Sequence, residues 1–359
     1  MTRTTINTLR RIDLLKLAER LGQREQTAAR ISGRDSLMGN STLNPTPPLL
    51  SGLSWRAIIR DDLMALVKLA EECQRVDGGL AFLNEPDNLG ARYFPDAPGT
   101  AIGAFTADAR MVACSTVHLV RAADTACAVI VGQVQPEWRN QGIGAYLMDW
   151  SQVQAQSLFT TAGAAKRLLR VATESLTESA IHRYHASGFD PVFEELIMER
   201  DLRLPLPDSL LPAGMSITTW QPALAEQFFE AYEAAFRERP GFPGYSAAQW
   251  ISDCNENENF KQEWSLLART GDGFPAGFVV ASAEHPGGFV VQVGVIPEQR
   301  RRGIASALIV ETLRRMQAAG KNGAQLTVNL NNPGAIQTYR VLGFAIAGRR
   351  ARYERSADR

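Results

Sequence analysis

The sequence carries one two-part pattern twice. Val134-Gln135-Pro136-Glu137-Trp138-Arg139-Asn140-Gln141-Gly142-Ile143-Gly144 is followed by Tyr184-His185-Ala186-Ser187-Gly188-Phe189. Val295-Ile296-Pro297-Glu298-Gln299-Arg300-Arg301-Arg302-Gly303-Ile304-Ala305 is followed by Tyr339-Arg340-Val341-Leu342-Gly343-Phe344. Gly142 and Gly303 stand 161 positions apart, and Tyr184 and Tyr339 stand 155 apart. Two matched parts in one order, at nearly equal offsets, mean a duplicated unit. Each copy predicts a site for a phosphate-bearing ligand.

A chain of 359 residues has the length for two such units with cores of their own. Lys plus Arg and Asp plus Glu each number 38, so no net field draws the chain to nucleic acid or to an anionic membrane. No apolar run is long enough to span a bilayer. Cys73, Cys114, Cys127 and Cys254 are scattered without a Cys-x-x-Cys pair, and the four histidines are dispersed. That pattern predicts reduced, buried thiols in a cytoplasm and no metal site.

The first residues stand apart. Leu9, Ile12, Leu15, Leu17 and Leu21 keep a helical period among arginines and acids, unlike a secretory core. The segment reads as a helical arm without catalytic role, a presequence, or an extension upstream of a start at Met38. The expected organisation is an arm and joiner over 1–48, a first domain over 49–204, a linker over 205–213 and a second domain over 214–359. Pro205, Pro207 and Pro212 mark the linker because proline blocks regular pairing.

Each copy opens with a short strand and a helix: Leu53 to Ile59 then about 61–74, and Met215 to Trp220 then about 222–237. Valine-rich strands, 126–134 and 287–295, run into Val-x-Pro and then the glycine turn. After it, Ile304, Leu308, Ile309, Leu313 and Met316 share one helical face, and Gly320 is a C-terminal stop. A further strand, 324–330, and a helix carrying Tyr339 complete the alternation of an α/β domain with a mixed sheet.

An Arg-x-x-Gly-x-Gly/Ala turn between strand and helix points several unpaired N–H groups at one spot, and its glycines admit a ligand closely. The spacing is neither that of a dinucleotide fold nor that of an NTPase loop. Joined to the strand, the Val-x-Pro, the following Asn-x-x-Ala and a Tyr four residues before Gly-Phe, the pattern resembles the GNAT N-acetyltransferase superfamily. The second copy carries Val295, Pro297, Arg300, Gly303, Ala305, Asn332, Ala335, Tyr339, Gly343 and Phe344. The first carries Val134, Pro136, Arg139, Gly142, Gly144, Ala180, Tyr184, Gly188 and Phe189, with Thr177 where the second has Asn332. The match covers roughly residues 50–359, and the two-copy plan is similar to that of mycothiol synthase, a member of the family.

The resemblance implies an α/β fold of two tandem GNAT domains, each a mixed, splayed β-sheet flanked by helices. It also implies acetyl-CoA as cosubstrate, no metal, and direct attack by a primary amine. The pyrophosphate is expected on the N–H groups of Arg139, Asn140, Gln141, Gly142, Ile143 and Gly144, and of Arg300, Arg301, Arg302, Gly303, Ile304 and Ala305, with Asn332 nearby. The pantetheine arm is expected along Gln133 and Val134, and along Gly294 and Val295. Tyr339, and by position Tyr184, match the acid that protonates the departing thiolate.

Neither strand before the motif holds a carboxylate, and Glu284 with His285 is the substitute base, or else a solvated turn. Thr177, His182 and His185 mark the first copy as degenerate, leaving the second as the catalytic unit. The acidic run Cys254 to Phe260 is either an acceptor cleft or a solvated loop, and the aromatics of Arg237 to Tyr245 a lid or only a loop. The acceptor is a small-molecule or peptide amine, with no nucleic-acid or membrane partner, and the protein a monomeric pseudo-dimer or a homodimer. Two alternatives remain: acetylation of a small cysteinyl amine as in mycothiol synthase, and a non-catalytic acyl-CoA sensor.

Overall fold

In the computed structural model, the described residues are 45–358, except 123, 161–163, 240, 241, 243 and 285. Nearly all of the expected arm, and His285, lie outside them. Among the described residues no helix is long and apolar enough to cross a membrane.

The first compact unit holds residues 45–195 and the C-terminal 348–358. Its strands β1 (Leu53–Ala57), β2 (Gly99–Thr106), β3 (Met111–Ala122) and β4 (Thr125–Val134) pair antiparallel in that order. Strand β5 (Lys166–Thr173) then pairs parallel to β4. Helices α1 (Leu63–Asp77) and α2 (Pro86–Tyr93) precede β2, α3 (Ile143–Thr160) bridges β4 to β5, and α4 (Glu178–Ala186) follows β5. Helix α3 packs Ile143, Leu147, Trp150 and Phe159 among Val117, Ile130, Leu169 and Val171. Helices α1 and α2 pack Leu66, Leu69, Cys73 and Tyr93 among Cys114 and Val131. Neighbouring strand residues point to opposite faces, so Ile130 and Val131 put the two helix layers on opposite sides of the sheet. A strand covered on both faces reads as a continuous apolar run, which is why β4 is so rich in valine and alanine.

The second compact unit comprises Leu196–Ala347 among the described residues and repeats the plan. Here β7 (Ser216–Thr219), β8 (Leu266–Arg269), β9 (Pro275–Ser282) and β10 (Gly288–Val295) pair antiparallel. Strand β11 (Gly323–Asn329) is parallel to β10, and the 196–201 end of β6 (Asp190–Asp201) lies beside β11. Helices α5 (Ala225–Phe236) and α6 (Ala247–Glu256) carry one face, with α7 (Ile304–Ala318) and α8 (Pro333–Val341) on the other. The expected helix face of Ile304, Leu308, Ile309, Leu313 and Met316 is buried in full, and Gly320 has φ +77° beyond the helix end.

These units depart from the repeat boundaries expected near 204 and 214. The chain leaves the first unit inside β6, between Glu195 and Leu196, and returns to it inside β12 (Ala345–Ser356), between Ala347 and Gly348. The returning segment is firmly held: Ala351 to Ser356 pair antiparallel with Thr173 to Leu168 of β5. Tyr353 is 2% exposed and packs against Tyr184, with ring centroids 5.1 Å apart. Arg350 donates to Glu195 at 2.9 Å and Glu174 at 3.3 Å, and Arg170 pairs with Glu354. Deleting 348–358 is therefore expected to unfold the first unit and to leave the second folded. Limited proteolysis would show rapid loss of 45–195 and survival of 196–347. Arg350→Ala alone strands two carboxylates around a buried site and should cost about 3–5 kcal/mol in denaturant unfolding.

Candidate functional site

In each unit the two parallel strands part company before the glycine turn. Pairing of β4 with β5 ends at Ile130 opposite Val171, and pairing of β10 with β11 ends at Val290 opposite Leu326. In the first unit the gap opens into a cavity of about 180 Å³. Its walls come from both sheet faces: Cys73 and Tyr93 on the α1/α2 side, Leu147, Ser151 and Tyr184 on the α3/α4 side. It therefore passes through the sheet between the diverging strands. In the second unit β10 carries a bulge that leaves Val291 without a partner on β9, whereas β3 and β4 pair without interruption. A bulge kinks its strand and frees ladder groups, a common device beside a reactive centre.

The turns themselves are near copies. Asn140 (φ +61°) and Gly142 (φ +83°) match Arg301 (φ +63°) and Gly303 (φ +81°). Left-handed residues alternating with ordinary ones gather successive N–H groups into an anion-binding concavity. The first turn of the following helix, from Ile143 or Ile304, adds donors that lack intrahelical acceptors. Two non-glycine residues held at positive φ in equivalent places are strain of the kind stored at functional sites. The second turn is the more open: a Cβ on Gly303 would meet nothing within 4 Å, whereas one on Gly142 would stand 4.0 Å from Pro48.

The leading arginine of each motif is a clamp. Arg139 donates from Nε to the Val134 carbonyl at 3.0 Å and takes Asp77 of α1 with both terminal nitrogens, at 2.7 and 2.5 Å. Arg300 donates from Nε to the Val295 carbonyl at 3.2 Å and from NH2 to the Ala235 carbonyl of α5 at 3.1 Å. Both side chains thus tie strand end to helix. Arg302 donates to Gln299 within its own turn. Gly294 is required by packing: a Cβ there would stand 2.8 Å from both Ala235 and Phe278. Near the first turn stands a guanidinium that no motif spacing marks. Arg183 lies over Gly144, where an added Cβ would stand 3.1 Å from its Nε, so a cation faces the positive end of α3. The second copy has Thr338 at the same distance before its tyrosine.

Tyr184 and Tyr339 are both buried, and burial pushes each phenol up to about 12. Each therefore stays protonated, and able to donate, across ordinary pH. Asn332 caps α8 by accepting from Ala335 N at 3.2 Å, and Thr177 caps α4 by accepting from Ala180 N at 3.2 Å. The missing asparagine is thus no sign of decay, because threonine makes the same cap. His182 is exposed and bonds the Glu178 carbonyl within its own helix.

Glu284, expected as a substitute base, is held by neighbouring side chains. Its carboxylate accepts from Asn259 at 3.0 Å and Ser282 at 3.0 Å. It follows Ser282, which faces Phe289, while the turn follows Val295, which faces Gly277. That separation along β10 is six residues, roughly 20 Å at about 3.3 Å per residue. The proposed lid and cleft runs are partly core as well: Tyr245, Cys254 and Phe242 pack with Tyr232 and Trp250. The carboxylate the strands lacked stands elsewhere, as Glu174 just past β5, lining the first cavity.

The second copy, over residues 223–344, matches the sequence model of the acetyltransferase (GNAT) family. A mycothiol acetyltransferase of Paenarthrobacter aurescens is 30% identical over 222 residues, 59% of this chain and 65% of that protein. This alignment spans just under two thirds of that relative. One of Mycolicibacterium paratuberculosis is 33% identical over 229 residues, covering 59% of this chain and 68% of that protein. Among solved structures, a GCN5-related N-acetyltransferase from Sphaerobacter thermophilus superposes with a TM-score of 0.66 at 24% identity, over 87% of this chain and 97% of that one. It establishes the likeness of fold. With two turns of one geometry, two parting strand pairs and these relatives, the chain belongs to the acetyltransferase (GNAT) family, as two units in tandem.

Proposed function

We propose that the chain transfers an acetyl group from acetyl-CoA to the primary amine of a small molecule, with the second copy carrying the transfer. The reading rests chiefly on the paired left-handed residues, Arg301 and Gly303, at an open turn beside a bulged, parting strand. The family match over 223–344 supports the same copy. The N–H groups of 301–305 would hold the pyrophosphate, and the strand edge near Gly294 and Val295 the pantetheine arm. Tyr339 would give its proton to the departing thiolate. The bulge leaves strand groups free where the thioester carbonyl would lie. Its oxygen gains charge as the amine attacks, and fixed donors there lower the barrier.

The relatives are mycothiol acetyltransferases by name, which favours a small, cysteinyl amine over a peptide tail. The first unit supports a second reading, because its own turn and cavity fit a bound acyl-CoA without turnover. Release of free thiol from acetyl-CoA, followed across a panel of small primary amines and peptide amines, tests the proposal. Turnover with at least one small amine is expected, and thiol release with peptides alone would overturn the small-molecule reading.

A further inference from the structure

The α1/α2 side of the first cavity holds a pair of opposite charges that are not fully joined. Arg92 of α2 and Glu174 both line the cavity, and their closest approach is 4.0 Å. That is an ion-pair contact too long for a hydrogen bond. The Arg92 side chain is only 20% exposed, and among the described residues it has no hydrogen-bond acceptor. Other guanidinium groups of this unit are closely engaged: Arg139 with Asp77 at 2.5 Å, Arg170 with Glu354 at 2.5 Å, Arg350 with Glu195 at 2.9 Å. A guanidinium offers five donors in a planar fork that suits a carboxylate. To leave those of Arg92 facing a cavity is costly unless something enters.

Glu174 has a matching vacancy in its hydrogen bonding. Arg350 donates to Oε2 at 3.3 Å, while the described contact of Oε1 is the 4.0 Å one to Arg92. Burial alone would raise its carboxyl. Arg350, Arg92 and Arg352 outweigh that effect and hold it below the usual carboxylate range, so the group is charged. Asn84 and Tyr93 also line the cavity. The cavity thus presents, a few ångströms apart, one anion with a free oxygen and one cation with free donors.

We propose that this side of the first cavity is a subsite for a zwitterionic amine of the amino-acid type, its carboxylate on Arg92 and its ammonium on Glu174. The inference rests on the proposed acyl-transfer reading only in placing an amine across the sheet from the turn at Asn140–Gly142. It gives the first copy an acceptor-like site of its own. Arg350, arriving from the C-terminal strand, keeps Glu174 ionised and in place.

The test is calorimetric titration, without acetyl-CoA, of a panel of L-amino acids and of the same compounds as carboxamides. At least one amino acid should bind wild-type protein, and its carboxamide should bind at least about tenfold more weakly, the loss of one charge-assisted contact. Arg92→Gln should remove that preference, and Arg92→Lys should restore part of it. The thermal unfolding temperature of each variant shows whether its fold is intact. Equal binding of acid and amide, a preference that survives in folded Arg92→Gln protein, or no binding by the whole panel would overturn the subsite. None of these outcomes bears on acetyl-CoA binding, which a separate titration reads.

Discussion

Gly303→Glu is expected to abolish one acetyl-CoA site and all turnover. Gly303 sits at φ +81° with nothing within 4 Å of where a Cβ would stand. A side chain there meets backbone strain of about 1–2 kcal/mol but no clash. Gly303→Ala should therefore weaken binding only about tenfold. Glutamate also sets a carboxylate at the mouth of the turn, against an incoming pyrophosphate. One pair of like charges 4 Å apart costs about 4 kcal/mol at an effective dielectric constant of 20, roughly a thousandfold in affinity. Titrating acetyl-CoA into wild-type, Gly142→Glu and Gly303→Glu proteins separates the copies. Loss with Gly303→Glu alone assigns the cosubstrate to the second unit. If each change removes one of two sites, both units are loaded. A wild-type protein that binds no acetyl-CoA would refute the acetyl-transfer reading of this chain.

Tyr339→Phe should lower kcat by about 10²–10⁴ while leaving acetyl-CoA affinity unchanged, because the hydroxyl acts on the leaving group rather than on the bound cosubstrate. The side chain is 8% exposed in the core with Phe344, and phenylalanine keeps that packing. Burial raises the phenol to about 12, so its proton is present throughout the neutral range. A rate governed by Tyr339 should then show no alkaline fall from this group until pH approaches 12. Any limb near neutrality belongs to the amine, which must lose its own proton before attack. Tyr184 has the same raised value and lines the first cavity. Loss of rate in Tyr184→Phe, with Tyr339→Phe still active, would move the chemistry to the first copy.

What could be read from the sequence was whatever depends on short spacing. The strand ahead of each turn, the turn, the helix after it and the tyrosine offset all come from periodicity and glycine placement over a few residues. The strands expected at 126–134 and 287–295 differ from those observed by one residue at one end. The left-handed backbone at Asn140 and Arg301 was not visible, since neither residue is glycine. Its equivalent position in both copies becomes evident only from the torsion angles.

Side-chain roles fared differently. The side chains of the leading motif arginines clamp Asp77 and the Ala235 carbonyl, partners about 60 residues upstream in each copy that no short spacing records. Thr177 read as a lost asparagine, although its hydroxyl makes the same cap. Glu284 reads as a base because it lies shortly before β10, while its bonds to Asn259 and Ser282 are made by the folded hairpin and carry no sequence signal. Arg92 and Glu174 are 82 residues apart in the chain and carried no shared signal.

The sequence by itself determined the duplication, the element order within each copy and the two turns, because each depends on local geometry that a short string encodes. Only the tertiary structure decided which segments complete which unit, where the cavity opens and which charges meet inside it. The pairing of Ala351 to Ser356 with β5 and the contact between Arg92 and Glu174 are set by long-range pairing and burial, and no local period records them.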